Sequence, residues 1–286
     1  MKVARSIPAL LLVLLVSAPA QAQTQRGFSF QQFLTAPGAQ DFLTVEGAKV
    51  PDGIGFGAGG LLGYQFRPVV LRACDSVEGD TCTQWSSTRG SLVEHQLWLD
   101  AFGSVSVLNI FQAGLVLPIV LYQGGEAVKD GSGTTVADAA SGHVGLGDPR
   151  LHMKLDLFGV FGKSMEKFGL SFITVLTFPV GHYIHSDSFM GDDLVTVHPK
   201  IAFEVDLGKA RLGFNLGYFW RRNKEFYLAN MGHRLTYAVA AQVPVRSDMD
   251  VILELFGNNG FEADLSSSPL ELDAAVRYTA PCGATM

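Results

Sequence analysis

The chain has 286 residues, a formal net charge of −6 and a sequence pI near 5.6, and 48% of its residues are hydrophobic. Nucleic-acid binding requires a basic stripe that this acidic chain lacks, so no nucleic-acid partner is expected. The mean hydropathy of +0.23 is high, although no apolar run after the N-terminal region is long enough to form a transmembrane helix. Apolar residues dispersed in this way are typical of a membrane β-barrel.

Residues 1–22 have the pattern of a secretory signal peptide. Two basic residues near the start precede an apolar run, and Ala20-Gln21-Ala22 forms a small-x-small cleavage site. The apolar run is shorter than the ~20 residues that a membrane-spanning helix needs. We therefore expect an exported protein whose mature chain begins at Gln23.

Residues 23–52 follow this signal and precede the first predicted strand. They contain four phenylalanines, which are Phe28, Phe30, Phe33 and Phe42. Two placements are open for this segment, because it could enter a barrel lumen as a plug or lie outside the barrel as a periplasmic cap. The predicted barrel then covers residues 53–280, and residues 281–286 form a C-terminal tail.

The chain has three cysteines, and two of them bracket a short polar loop. Cys74 and Cys82 are separated by the sequence DSVEGDT, and an exported protein matures in an oxidising compartment, so a disulfide between them is expected. Cys282 is left over as an unpaired thiol. So few separated cysteines do not make a metal site, and neither a metal nor a cofactor is expected.

Residues 91–107 alternate between apolar and polar side chains, as a β-strand with two different faces does. Leu97, Leu99 and Val105 lie on one face, and Trp98 and Asp100 lie on the other. An earlier strand is predicted over residues 55–66. A short turn at residues 108–110 pairs the strand with the next one so that apolar residues face each other, with Val107 opposite Phe111, Val105 opposite Ala113, and Leu99 opposite Ile119.

The stretch KARLGFNLGYFWRR at residues 209–222 shows the same alternation. Leu212, Phe214 and Leu216 lie on the apolar face. A tight turn at residues 208–209 predicts a hairpin in which Asp206 pairs with Arg211 on the polar face. Apolar pairs in the same hairpin are Val205 with Leu212, Phe203 with Phe214 and Ile201 with Leu216. Tyr218 and Trp220 are expected in an outer aromatic girdle, just below Arg221 and Arg222.

Further strands give a total of about ten. They are predicted at residues 150–157, 169–178, 233–243, 250–256 and 270–278. Short connections near residues 108, 208 and 247 alternate with long polar ones, which lie near residues 73–90, 123–142, 181–193, 222–232 and 258–268. Outer-membrane barrels have this asymmetry, so we predict an all-β fold, an antiparallel transmembrane β-barrel of about 10–12 strands. A soluble sandwich is the alternative, but its usual strands of about five or six residues are shorter than these.

The polar face of the predicted strands carries charges of both signs that would line the lumen. These residues are Glu94, Asp100, Arg150, Lys154, Asp156, Lys200, Glu204, Asp206, Arg211, Arg234, Glu254, Asp273 and Arg277. Opposite charges on neighbouring strands can pair and fill the bore of a barrel.

Catalytic and nucleotide-binding motifs are weak, so the chain is not expected to be an enzyme. The sequence GFGAGG at residues 55–60 has the glycine spacing of a dinucleotide-binding loop, but strand alternation continues through it where a helix is required. The sequence HYIHSDS at residues 182–188 contains serine and histidine, yet no Gly-x-Ser-x-Gly motif is present and the stretch is a predicted loop.

Four stretches together resemble a known family. They are QAGLVLPIVLYQ at residues 112–123, GLGDPRLHMKLDL at 145–157, LTFPVG at 176–181 and KARLGFNLGY at 209–218. Their order and spacing resemble the N-terminal barrel of OmpA-family outer-membrane proteins of myxobacterial type, over roughly residues 28–280. A weaker similarity is to outer-membrane channels for aromatic-compound uptake.

The resemblance implies an outer-membrane barrel that precedes calcium-binding-like repeats and a peptidoglycan-binding domain. The present sequence ends at Met286, before any such domain. We therefore expect a shortened form, to which peptidoglycan anchoring does not carry over.

We predict a barrel in the outer membrane of a Gram-negative bacterium, with a structural or surface-interaction role and a lumen filled by paired charges. The alternative is a small-solute channel, because about ten to twelve strands lie between filled and open barrels. The expected partners are outer-membrane lipid, the barrel-assembly machinery and extracellular molecules that meet the long loops.

Overall fold

The computed structural model describes residues 28–78, 81–129, 135–140, 144–162, 165–186, 188–226, 229–260 and 268–278. The predicted signal peptide at residues 1–22 lies outside the described residues, and so does the tail at 281–286 with Cys282. The side chains of Cys74 and Cys82 lie outside them as well, so the predicted disulfide stays a prediction.

The fold is all-β, which confirms the predicted class: 62% of the structure is strand and 4% is helix. The strands are β1 (Ile54–Glu78), β2 (Thr81–Val107), β3 (Phe111–Gly124), β4 (Val128–Lys129), β5 (Thr135–Ala137), β6 (Gly145–Leu146), β7 (Arg150–Asp156), β8 (Phe168–Thr177), β9 (Thr196–Asp206), β10 (Arg211–Phe219), β11 (Glu225–Phe226), β12 (Ala229–Asn230), β13 (Arg234–Arg246), β14 (Met249–Gly260) and β15 (Leu270–Tyr278). The helices are α1 (Leu157–Val160) and α2 (Val180–Ile184). No helix among the described residues is long and apolar enough to cross a membrane.

Eleven strands form one antiparallel sheet that is curled into a half-barrel. Ten of them follow the order β1-β2-β3-β7-β8-β9-β10-β13-β14-β15, and β6 pairs with β3 beside this path. The predicted hairpin registers are confirmed. In the first hairpin Val107 is opposite Phe111, and in the second Asp206 is opposite Arg211. The turn at Gly208 has a φ of 76°, in the left-handed region that glycine adopts most readily.

The predicted loop at residues 73–90 is wrong, because β1 continues to Glu78 and β2 begins at Thr81. The two strands keep pairing beyond the part of the sheet that β3 joins, with several register shifts between Phe66 and Val77. Polar composition favoured a loop, but two neighbouring strands satisfy each other's backbone groups whatever their side chains are.

The connections differ in length at the two ends of the sheet. Short turns join β2 to β3, β9 to β10 and β13 to β14, and we call this the short-turn end. The opposite, long-connection end carries β4 and β5, helix α2 and the small β11–β12 hairpin. The up-and-down order of neighbouring strands brings alternate connections to the same end, so the connection from β7 to β8, which holds α1, also lies at the short-turn end.

The sheet has a polar buried face and an apolar exposed face. On the inner face Asp100, Glu204 and Glu254 are at most 1% exposed. On the outer face Leu216 is 56% exposed and Leu272 is 73% exposed. This is the reverse of the arrangement in water-soluble sheets, where the apolar face is the buried one.

Residues 28–52, which we call the N-terminal segment, lie against the inner face and contain neither a helix nor a strand. Much of the segment is buried: Phe28, Phe42, Val45 and Glu46 are each at most 3% exposed. The two edge strands of the sheet, β1 and β15, both meet it. Ala39 lies beside Gly57 of β1, and Arg277 of β15 donates to the carbonyl oxygen of Asp41 at 2.7 Å.

Candidate functional site

The N-terminal segment passes through the interior from one end of the sheet to the other. Phe28 packs at the long-connection end, where its ring lies 5.3 Å from that of Phe189. Pro51 lies beside Gly55 at the start of β1, close to the short-turn end. Because this path crosses the inner face from end to end, the polar residues of that face bind the protein's own chain.

Asp41 is the first acidic anchor of the segment. Its carboxylate lies 2.6 Å from the Lys154 ammonium, and both groups are almost completely buried. The same carboxylate accepts hydrogen bonds from the backbone N–H groups of Gly38 at 2.7 Å and Gly47 at 2.8 Å. A buried charge needs this degree of compensation, because leaving water costs several kcal/mol per ion.

Glu46 is the second acidic anchor and meets two basic side chains. Its carboxylate pairs with Lys200 and lies 3.2 Å from His152 Nδ1. Asn215 holds the backbone of the same residue, because its amide oxygen accepts from the Glu46 N–H and its amide nitrogen donates to the Glu46 carbonyl, both at 2.9 Å. The two hydrogen bonds of the Asn215 side-chain amide therefore replace the backbone hydrogen bonds that a neighbouring strand would supply to Glu46.

Two glutamates of the sheet bind the backbone of the segment. Glu254 accepts from the N–H groups of Leu43 at 2.6 Å, Thr44 at 2.9 Å and Val45 at 3.3 Å, and from the Thr44 hydroxyl at 2.6 Å. Glu204 accepts from the N–H of Ala48 at 2.9 Å. Irregular backbone inside a barrel has no ladder partners, so carboxylates that accept several N–H groups satisfy it.

Phe42 is the apolar anchor. It packs in a cluster with Val45, Ala240 and Ile252, and the Arg211 guanidinium carbon lies 4.3 Å above its ring. Room for the ring is made by Gly213, where a Cβ would lie 2.4 Å from a ring carbon of Phe42.

The thirteen charged residues that the sequence predicts as lumen-lining occupy three kinds of place. The fully buried ones are Asp100, Arg150, Lys154, Glu204 and Glu254. Lys200, Arg211, Arg234, Asp273 and Arg277 are partly buried on the inner face. Asp156 and Asp206 lie at the ends of their strands, and Glu94 lies within β2, just beyond the part of β2 that pairs with β3.

The predicted side-chain pairing of Asp206 with Arg211 does not form, although the two residues are opposite in register. Asp206 instead accepts from the N–H of Gly208 in the turn at 2.8 Å. Arg211 donates to Gln242 at 2.7 Å and lies 3.7 Å from Glu204. The carboxylate satisfies its own turn because the turn N–H is two residues away and needs no long side chain to reach it.

Several residues of the interior were missed from the sequence. His152 could have been found because it shares the parity of the polar face of β7, and Arg221 because it continues the polar parity of β10 two residues beyond the end of that strand. Arg221 is 4% exposed and pairs with Asp192 at 2.9 Å, rather than lying beyond an aromatic girdle. Asp41 and Glu46 had no such signal, because a segment without regular structure has no periodicity.

A cavity of about 150 Å³ remains inside the long-connection end, beyond the part that the segment fills. Asp148 holds one of its walls, accepting from the N–H groups of Gly181 at 2.9 Å and Asp192 at 2.6 Å. Burial of this carboxyl in the connection before β7 raises the pKa of Asp148 to about 7. Burial likewise raises the pKa of Asp192.

No cluster of three or more His, Cys, Asp or Glu side chains that could hold a metal ion occurs in the part of the chain that the structure describes. Comparisons with protein-family models and with curated proteins find no match to this chain. The functional interpretation therefore rests on the sheet, its two faces and the interior contacts.

Proposed function

We propose that this chain is an outer-membrane β-barrel protein of a Gram-negative bacterium, with a structural or surface-interaction role and an interior occupied by its own N-terminal segment. The observation that carries the proposal is the reversed burial of the two faces. Large apolar side chains such as Phe56 (81% exposed), Leu216 and Leu272 lie on the outside of every part of the sheet, and water-soluble monomers rarely expose such a continuous apolar surface.

A lipid environment accounts for both faces. An apolar band on the outside and a polar interior are the pattern of transmembrane barrels. Lipid also requires that edge strands be closed, because unpaired backbone groups cannot be satisfied in hydrocarbon. The convergence of β1 and β15 on residues 39–42 supports closure around the segment.

The structural role is favoured over an open pore by the contents of the interior. Lys154, Lys200 and Arg211 are all engaged with carboxylates or with the segment. A small-solute channel is the second candidate, and the cavity at the long-connection end favours it. Resemblance to OmpA-family barrels, the partners predicted from the sequence and the absence of enzymatic activity stay predictions.

Substitution of Leu216 tests the membrane location. Leu216 is central in β10 and 56% exposed on the outer face, so Leu216→Arg should reduce barrel stability in bilayers by ~2–4 kcal/mol, the cost of a cation near the bilayer midplane. Leu216→Phe, which keeps the position apolar, is the matched control and should assemble normally.

The measurement is the fraction of folded, heat-modifiable protein in the outer-membrane fraction, together with urea unfolding of protein refolded into vesicles. In water an exposed leucine can be replaced with a change within about ±0.5 kcal/mol. Equal assembly of the two variants would therefore contradict the lipid-facing assignment and favour the soluble sandwich.

A further inference from the structure

The cavity at the long-connection end has walls of two kinds. Its apolar wall is formed by Phe30, Leu34, Phe189, Met190, Phe219 and Phe256. Its cationic side chains are Arg150, Lys200, Arg221 and Arg234. Two carboxylates, Asp148 and Asp192, also line it.

Both lining carboxylates already have partners within the protein. Asp148 accepts two backbone N–H groups from the connection that holds α2. Asp192 is paired with Arg221. These two carboxylates hold the wall in place by binding protein groups. The polar groups of the wall that remain without partners are donors.

Several buried donors in the cavity wall have no hydrogen-bond partner among the described residues, and three of them are Trp98 Nε1, Arg150 Nε and Arg221 Nε. Their residues are at most 5% exposed. A buried N–H without a partner costs about 1–3 kcal/mol, so three in one cavity point to an acceptor that occupies it.

Arg234 adds a positive charge that no carboxylate compensates directly. Within the described residues it makes no ion pair; its guanidinium contacts are Asn258 Oδ1 at 3.3 Å and Met231 Sδ at 2.8 Å. Arg150 and Lys200, by contrast, are paired with Asp100 and Glu46. The cavity therefore has a cation that belongs to no ion pair of the described residues.

We propose that this cavity is a binding site for a small monocarboxylate with a compact apolar body. The carboxylate accepts from Arg234, Trp98 and Arg221, and the apolar body lies against Phe189, Phe256 and their neighbours. The size limits the ligand, because a cavity of about 150 Å³ accepts a molecule of roughly benzene size. This site goes beyond the structural role proposed above and depends on the interior alone.

Calorimetric titration with hexanoate tests the site, using the full chain folded in detergent, with hexanol and hexylammonium as probes that share its apolar body. Hexanoate should bind saturably with one site per chain, at least about tenfold more tightly than either control, because only the carboxylate matches the free donors. Saturable binding of hexylammonium with equal affinity, or no saturable binding of hexanoate because the cavity holds only water, would overturn the proposal.

Two variants locate the binding. Arg234→Gln should weaken hexanoate at least about tenfold, and Trp98→Phe, which keeps an aromatic ring at this position but removes the indole N–H, about tenfold. Arg67→Gln is the control, because Arg67 is 57% exposed and pairs with Glu94 outside the cavity. Heat-modifiable migration shows that each variant is folded.

Unchanged hexanoate affinity in a folded Arg234→Gln variant would overturn the assignment. The hexanoate experiment tests the cavity, and the Leu216→Arg experiment tests the membrane location. Hexanoate can bind even if Leu216→Arg assembles normally. Hexanoate can also fail to bind while Leu216→Arg still blocks assembly. Failure of this inference is therefore distinguishable from failure of the proposed function.

Discussion

At the scale of single residues, the interior depends on carboxylates that satisfy irregular backbone. Glu254 is 1% exposed and accepts three backbone N–H groups and one hydroxyl from the N-terminal segment. No ion pair to Glu254 occurs within the described residues, so backbone donors compensate its charge. Such charge-assisted hydrogen bonds are stronger than neutral ones.

Glu254→Gln replaces one of these acceptor oxygens by a donor that faces an N–H group. We expect it to lower the free energy of unfolding by about 1–3 kcal/mol. The control is Glu94→Gln, which weakens a partly exposed ion pair with Arg67 and should cost at most about 1 kcal/mol. Urea unfolding in detergent measures both, and equal midpoints would show that Glu254 does not anchor the segment.

Asp148 makes stability depend on pH. Because burial raises the pKa of Asp148 from 3.8 to about 7, the folded protein binds more protons than the unfolded chain between these values. The free energy of unfolding should therefore fall as pH rises from about 4 to about 7 and level off above. Asp148 lies in a connection, outside the strands.

Asp148→Asn should reduce this pH dependence. The measurement is the difference in urea midpoint between about pH 5 and about pH 8, which should be smaller in the variant than in the wild type. Asp192, whose pKa is also raised by burial, contributes to the slope that remains. A slope unchanged by Asp148→Asn would mean that Asp148 titrates near its ordinary pKa.

At the scale of elements, the N-terminal segment packs against the inner face of β10, which carries a glycine at the contact. β10 has glycine at 213 and 217 on this face. Phe42 occupies the space over Gly213. Close approach of another chain segment therefore explains Gly213, whereas a Cβ at Gly217 would meet the side chains of Lys200, His198 and Thr236 on neighbouring strands.

Gly213→Ala should displace Phe42 and loosen the segment by about 1–3 kcal/mol, the usual cost of overpacking a filled interior. Gly60→Ala is the matched control, because a Cβ at Gly60 meets its nearest atom at an ordinary 3.6 Å. Limited digestion with trypsin should release a fragment ending at Lys49 faster from Gly213→Ala than from Gly60→Ala. Equal rates would indicate that Phe42 does not hold the segment.

At the scale of the whole molecule, a segment that crosses the interior from end to end closes the path that a solute would take. Wild-type protein in planar bilayers should therefore give no steady openings. The double variant Asp41→Asn/Glu46→Gln should open intermittently, because it leaves Lys154, Lys200 and His152 without their carboxylates, and each broken buried pair costs about 3–5 kcal/mol.

Heat-modifiable migration must show that both proteins are folded before conductance is compared. Steady, ohmic conductance of the wild type would contradict the filled interior and favour the small-solute channel.

Alternation in the sequence determined the sheet and its faces. Side chains on a strand point alternately to two sides, so Leu216 and Asn215 had to face different surroundings whatever the rest of the fold was. The hairpin pairings at Val107–Phe111 and Asp206–Arg211 followed from short turns, which set register locally. These features depend on neighbours in the chain.

Tertiary structure alone decided what fills the interior. Asp41 meets Lys154 across 113 residues and Leu43 meets Glu254 across 211, and no local pattern encodes contacts between an irregular segment and distant strands. The same holds for the cavity, whose walls come from the N-terminal segment, the connections and six or more strands. Long-range packing also moved Arg221 inward to Asp192, because a buried charge needs compensation and the Arg221 guanidinium supplies it for Asp192.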